Sequence, residues 1–282
     1  MNPPVTIALA VFNGADTVRL AIESILQQSY SNFEFIIIDD GSMDDTLQVV
    51  KSFDDPRIRL VEGKNNMGLS SRLNQAVDMA NGHYFSRMDS DDISYPERIE
   101  KQLDYLQRHP DIDLLGANIA LFDDLFRLKG KLNTAESHAD ICAKPWNGFY
   151  LPHPTWMGKT DWFRAHPYYS FADGAEDQNL LLRSFHNSCF ACMKDILLAY
   201  RETERPLKKT LRARAIFARS ALASDVQSSI KFLSIKIVLM QILKGIADFL
   251  TVLLIPGLKR KLLPVDDKEK KEFVALKKKL SL

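Results

Sequence analysis

Val5-Thr6-Ile7-Ala8-Leu9-Ala10-Val11 and, beyond one helical pattern, Phe35-Ile36-Ile37-Ile38-Asp39-Asp40-Gly41-Ser42 decide the fold of this 282-residue chain. Each is a short continuous apolar run closed by turn residues, Asn13-Gly14 after the first and Asp39-Asp40-Gly41-Ser42 after the second. Such runs are expected of strands buried on both faces. Between them Val18, Ala21, Ile22 and Ile25 recur at i, i+3, i+4 and i+7, the spacing of a helix with one apolar face. Strand, helix, strand opens a parallel sheet covered by helices.

The unit repeats outward. Ile58 to Val61 reads as a third strand, and Leu69, Leu73, Ala76, Val77 and Ala80 form a helical stripe that stops at Asn81-Gly82. Tyr84 to Met88 is a fourth strand that runs into Asp89-Ser90-Asp91-Asp92. A helix follows, with Pro96 in its first turn, Ile99, Leu103 and Leu106 on one face and Pro110 past its end. Four βα units in 110 residues predict an α/β, doubly wound, mostly parallel sheet, whose ligands bind at the carboxyl ends of the strands. Phe12-Asn13, Asp39-Asp40 and Asp89 to Asp91 all fall there. Three carboxylates within four residues repel one another unless a cation or hydrogen-bond donors hold them. The same residues also suit a helix start, with Ser94 and Glu97 as a capping box.

Beyond residue 110 the pattern loosens. Ile112 to Phe122 reads as a strand, Leu125 to Trp146 has no clear period, and prolines with Trp146, Trp156 and Trp162 mark an irregular region of satellite core or pocket lining. Glu176 to Phe185 reads as a helix and Ala191 to Tyr200 as a last strand. Cys142, Cys189 and Cys192 form no disulfide framework and fit a reducing compartment; Cys189-Phe190-Ala191-Cys192 reads as packing rather than a redox pair. Met1-Asn2-Pro3-Pro4 has no basic leader pattern, so no cleavable signal is expected.

Charge divides the chain. Residues 1–200 carry 18 Lys and Arg against 28 Asp and Glu, whereas residues 201–282 carry 19 against 8. An acidic body with a basic tail points to a charged surface as the partner of the tail. Ile230 to Ile255 is an apolar run long enough for a bilayer. However, Ser234, Gln241, Lys244, Gly245, Asp248 and Thr251 share one helical stripe. The run therefore reads as a helix in a membrane interface, assisted by Lys259-Arg260-Lys261, or as one packed on the body or in a homodimer. Lys268 to Lys279 reads as a charged, solvated helix.

With these residues in place, the chain from about Val5 to Arg183 resembles the family-2 glycosyltransferases of the GT-A fold. Val5 to Gly14 is similar to the family's opening strand and loop, and Phe35 to Thr46 to its second strand and turn. Asn65 to Asn74 resembles the Gly-Leu-Ser segment, Arg87 to Asp92 with Pro96-Glu97-Arg98 the Asp-x-Asp segment, and Ala175 to Arg183 the Glu-Asp motif. His153 to Met157 looks like the segment before that motif, with Lys159 where an Arg is usual. The Gln-x-x-Arg-Trp signature of processive members is absent.

The resemblance implies a Rossmann-like GT-A domain over 1–203, with a nucleotide-sugar half to about 110 and an acceptor half to 203, and a helical basic appendage over 204–282. It implies an inverting, metal-dependent, non-processive transferase using a nucleotide sugar, of UDP type, in cell-surface polysaccharide or lipid-linked glycan assembly. Ala10, Phe12, Asn13, Asp40, Arg72, Asp89 and Ser90 would contact the donor, with Asp40 on the imide N–H of the base, Phe12 against its ring and Asp89 at the ribose. Asp91, with Asp89, would hold Mg²⁺ or Mn²⁺. Asp177 would act as catalytic base, with Glu176 as its helper or alternative. His153 and Lys159, with Arg72 and Arg87, would be phosphate or acceptor contacts or else solvated charge. The implied partners are the donor, a glycan or lipid-linked acceptor, a peripheral membrane contact through 230–261 or a second copy, and no nucleic acid. The implied location is the cytoplasm, at the inner face of the cell membrane. A sugar-phosphate nucleotidyltransferase would want a Gly- and Lys/Arg-rich loop after the first strand, which Phe12-Asn13-Gly14-Ala15-Asp16 is not; an inactive nucleotide-binding scaffold is the non-enzymatic alternative.

Overall fold

The computed structural model describes residues 4–203, 206–223, 231–254 and 262–281; Lys259, Arg260 and Lys261 lie outside the described residues. Four parallel strands, β1 (Val5–Val11), β2 (Phe33–Asp39), β3 (Ile58–Glu62) and β4 (Tyr84–Asp89), alternate with α1 (Val18–Leu26), α2 (Thr46–Lys51) and α3 (Leu69–Met79). After β4 come β5 (Ile93–Ser94), α4 (Arg98–Arg108), β6 (Leu114–Phe122), β7 (Leu128–Lys131), α5 (His138–Ile141), β8 (Met157–Lys159), α6 (Thr160–Ala165), α7 (Glu176–Ser184) and β9 (Phe190–Arg201). Three helices follow: α8 (Leu207–Leu222), α9 (Lys231–Leu254) and α10 (Asp267–Lys279).

Among the described residues one sheet runs β3-β2-β1-β4-β8-β6-β9-β5, with β7 against β6. β6 and β9 are parallel, while β8 runs antiparallel to β4 and β6, and β5 to β9. Strand parity explains the two layers, because alternate side chains of a strand point to opposite faces. Val5, Ile7, Leu9 and Val11 join Ile22 and Ile25 of α1 and Ile99 and Leu103 of α4 in one core. Ala8, Ile36 and Ile38 join Leu73 and Ala76 of α3, Leu180 of α7, Phe217 of α8 and Ile237 of α9 in the other. Each of the Val, Ile, Leu and Phe side chains among them contributes about 1.5–3 kcal/mol on full burial.

Two local expectations are corrected. Ser94 is a strand residue and forms no capping box: its backbone N–H donates to Ser24 Oγ at 3.0 Å, its hydroxyl accepts from Gln28 Nε2 at 3.1 Å, and Pro96 precedes α4. The helix of Lys268 to Lys279 is half-packed rather than solvated, because Phe273 and Leu276 are buried against Tyr95 and Phe122, and Lys131 Nζ pairs with Glu269 at 2.5 Å. α2 has six residues, too few to display a periodic stripe.

Candidate active site

β1 sits between β2 and β4, where the strand order reverses, and Ala10 pairs with Ile38 and Asp89. A cavity of about 570 Å³ opens at the carboxyl ends of β1 and β4, lined by Phe12, Asn13, Asp89, Ser90, Asp91 and Arg201 among others. Phe12 is 41% exposed, a large ring left facing the opening. Its neighbour Asn13 has φ of 52°, a left-handed conformation that Asn tolerates. The turn is pinned from the β2 side: the amides of Asn13, Gly14 and Ala15 donate to Ser42 Oγ, Thr46 Oγ1 and Asp44 Oδ2 at 2.8–3.1 Å. Those N–H groups are spent inside the protein, so the turn is no triphosphate cradle.

The acidic segment lies over a buried layer of positive charge. Arg87 is 1% exposed and grips Asp89 with both terminal nitrogens. Behind it, buried Arg98 donates to Ser86 Oγ, to the Arg87 carbonyl and to Gln102 Oε1. Burial, then the charge of Arg87, pushes the Arg98 pKa down to about 9. The three carboxylates differ. Asp89 and Asp91 line the cleft. Asp92 is buried: one oxygen accepts the Arg201 N–H at 3.0 Å, and the other has no hydrogen-bond partner among the described residues. Burial and then the charge of Asp89 raise Asp91, and burial with both neighbours raises Asp92 well above the ordinary carboxylate range. Even with two guanidinium groups beneath it, the cluster is short of positive charge on its open side.

That deficit fits a hard divalent cation. Among the described residues no three potential ligands gather into a closed cage; of the carboxylates lining this cleft Asp124 is paired with Arg201 and Asp16 lies on the exposed turn after β1, which leaves Asp89 and Asp91 at the end of β4. One or two carboxylates are what Mg²⁺ or Mn²⁺ requires when phosphate oxygens and water complete its shell. Arg201 is a cleft residue that sequence reading missed. At the end of β9, one past the predicted strand, it donates to the Asp91 carbonyl, pairs with Asp124 at 3.0 Å and lies over the rings of Phe122 and Phe126.

Asp89 also borders a second cavity, of about 530 Å³, lined by His153, Glu176, Asp177, Gln178, Arg214 and Gln241 among others. Glu176 and Asp177 open α7, where the exposed amides of a helix start favour negative charge. Their environments differ. Glu176 is buried, accepts the Gly174 N–H at 2.7 Å and lies 3.6 Å from His153 Nδ1. Burial would raise its pKa, but the hydrogen bond and charge of His153 outweigh that and hold it at about 2. His153 Nε2 in turn meets the hydroxyl of buried Tyr168 at 3.0 Å. Asp177 is half-buried at the cleft, its carboxylate accepting from Gln178, whose amide also grips both backbone groups of Phe149.

Some expected site residues are elsewhere. Asp40 accepts the N–H groups of Met67 and Gly68 and pairs with Arg72 at 2.6 Å, and Arg72 also donates to the Asn65 carbonyl. This buried pair fixes the 65–68 loop and lines neither cleft. Lys159 is not brought to the site: it lies opposite Tyr84, at the start of β4, and pairs with Asp113 at 2.9 Å. Asp89 lies five residue steps along β4 from Tyr84, about 16 Å. Arg87 is neither solvated nor in the open cleft.

Residues 6–189 match the family model described as Glycosyl transferase family 2. The chain belongs to glycosyl transferase family 2. Among its relatives in that family, the putative glycosyltransferase EpsE of Bacillus subtilis (strain 168) is 38% identical over 132 residues, 46% of this chain and 47% of that protein. The succinoglycan biosynthesis protein ExoO of Rhizobium meliloti (strain 1021) is 33% identical over 204 residues, 70% of this chain and 50% of that protein. The chain thus spans about half the length of each. The crystal structure of S. aureus TarS 1-349 in complex with UDP matches with a TM-score of 0.66 over 98% of this chain and 79% of that one, at 16% identity. The family-2 chain therefore has the expected GT-A fold, a mostly parallel sheet with flanking helices and further helices at the C-terminus.

Proposed function

We propose that this family-2 chain is an inverting, metal-dependent glycosyltransferase that moves a sugar from a UDP-type donor to a hydroxyl of a glycan or lipid-linked acceptor, in cell-surface polysaccharide or lipid-linked glycan assembly. The carrying observation is that Asp89 borders two clefts at once, one bearing Phe12 and Asp91, the other bearing Asp177. A donor in the first and an acceptor in the second would meet at Asp89. The UDP in the TarS structure supports the donor class, and ExoO's role in succinoglycan biosynthesis supports the product class.

Phe12 offers its ring to the base, and Ala10, Asn13, Ser90 and Asp89 border the nucleotide and sugar. Asp40 Oδ2 takes only the Gly68 N–H, which leaves it an acceptor site for a base imide N–H. Asp91 with Asp89 would hold Mg²⁺ or Mn²⁺, which supplies Lewis-acid neutralisation of the leaving diphosphate. Asp177 accepts the proton of the attacking hydroxyl, and a single displacement at the anomeric carbon inverts it. Glu176, already ionised and committed to Gly174 and His153, holds the start of α7 in place. Calorimetry of UDP binding with and without Mn²⁺ tests the donor side: metal-dependent binding is expected for the wild type and is lost in Asp91→Ala. Binding that ignores both metal and substitution would overturn the assignment.

A further inference from the structure

α9 is inverted relative to a helix on the surface of a water-soluble domain. Ser234, Gln241, Lys244, Gly245, Asp248 and Thr251 all fall on its shielded side. There Gln241 Nε2 donates to the Trp146 carbonyl at 3.0 Å, Lys244 Nζ to the Asn147 carbonyl at 2.9 Å, and Asp248 pairs with Arg214 at 2.6 Å. Outward, Phe232, Ile235, Leu239, Ile242, Ile246 and Phe249 are each more than half exposed. A contiguous apolar face of this kind marks an interaction surface.

Three observations select its occupant. The helix is long and apolar enough to cross a membrane, about 36 Å at 1.5 Å per residue. Its polar side, however, is spent on the catalytic body, and spanning would carry the Arg214–Asp248 pair and its neighbours into hydrocarbon. The adjoining helix α8 leaves Lys208, Lys209, Arg212 and Arg219 exposed. Residues 201–282 carry 19 Lys and Arg against 8 Asp and Glu, an excess that the same region of a second copy would repeat and an anionic lipid surface would neutralise.

The same helix also shapes the cleft that holds Asp177. Gln241 and Arg214 line it, and the carbonyls taken by Gln241 and Lys244 lie just before Gly148 and Phe149 of its wall. α8 reaches the base-bearing helix directly, Asn179 Nδ2 donating to Ser220 Oγ at 3.0 Å. We propose that α8 and α9 form a platform that lies on an anionic lipid bilayer, and that docking there stiffens the wall of the cleft beside Asp177. On the functional reading above, the platform brings a lipid-linked acceptor to that cleft; the lipid docking itself stands without that reading.

The test is flotation of the full chain with vesicles of phosphatidylcholine alone or mixed with phosphatidylglycerol. The wild type is expected to float with the mixed vesicles, at least tenfold less with phosphatidylcholine alone, and to be released by high salt. Leu239→Gln/Ile242→Gln/Ile246→Gln/Phe249→Gln should lower flotation at least tenfold with thermal unfolding and UDP binding unchanged. Lys208→Glu/Arg212→Glu should weaken only the response to phosphatidylglycerol. Amide exchange over residues 145–149 should slow when vesicles are added. A wild type that stays in solution, a lipid-free dimer dispersed by the quadruple variant, extraction from cell membranes only by detergent, or unchanged exchange over 145–149 would each overturn the proposal. UDP binding is read separately, so failure of the transferase assignment leaves the flotation result standing.

Discussion

Two groups of carboxylates face each other across Asp89 and are held in opposite ways. On the β4 side, Asp91 and Asp92 are desolvated beside Asp89 and have raised pKa values, despite Arg87 and Arg98 beneath them. On the α7 side, Glu176 is equally desolvated yet held at about 2, because His153 and the Gly174 N–H meet its two oxygens. Burial alone does not fix a carboxylate's charge; the number of donors within reach does. The first group is poised for an added cation, and the second has its charge already balanced, leaving Asp177 at the cleft for proton transfer.

The strongest break of this contrast is Asp91→Ala. Losing this cleft-lining ligand should lower metal-dependent donor turnover by about 10³-fold or more, since Lewis-acid stabilisation is worth several kcal/mol and about 1.4 kcal/mol is tenfold. Steady-state release of UDP at saturating Mn²⁺ reads it. Asp177→Asn should cost about 10²- to 10⁴-fold in transfer with UDP affinity unchanged, which separates the two groups functionally.

Arg87→Gln attacks the counter-charge. Arg87 is buried but its partner Asp89 is open to the clefts, so removing the cation should destabilise the fold by about 3 kcal/mol, the low end for a broken buried pair, read by chemical denaturation. The sign with pH follows from the raised carboxylates: a folded-state pKa above the unfolded one makes stability fall as pH rises through it. The variant should therefore recover part of its loss when assayed at lower pH.

His153→Ala should have the smallest effect. The depressed Glu176 pKa contributes stability that is fully present above the unfolded carboxylate value and is lost as pH falls towards about 2. The whole displacement is linked to about 3 kcal/mol. Without His153, burial dominates, so the acid-unfolding midpoint should move to higher pH; an unmoved midpoint would show that the backbone N–H alone sets the charge.

Much of the first half was legible because its signals are local. An apolar run such as Val5 to Val11 has few alternatives once a helical stripe follows it. The second half was less readable: β7 and β8 have four and three residues, and α5 has four, too short for any period to register. Arg201 could have been noticed only as a cation at the end of an apolar strand, while Arg214 and Gln241 reach the cleft from a helical region with no motif of its own. Lys159 misled because a position in a motif says nothing of distance, and here β8 runs antiparallel, carrying Lys159 to the far end of β4.

The sequence by itself determined the doubly wound sheet, the family and the acidic residues at the strand ends, since strand burial, turn chemistry and motif order are all written in neighbouring residues. Only the tertiary structure decided how those acids divide. Asp89 and Asp91 face a cleft, Asp92 is spent on the Arg201 backbone, Asp40 holds the 65–68 loop, and Glu176 is neutralised by a histidine 23 positions earlier in the chain. The reason is physical: a carboxylate's role depends on which donors and charges lie within a few ångströms, and those partners are brought together from distant parts of the chain by the packing of the sheet and its helices.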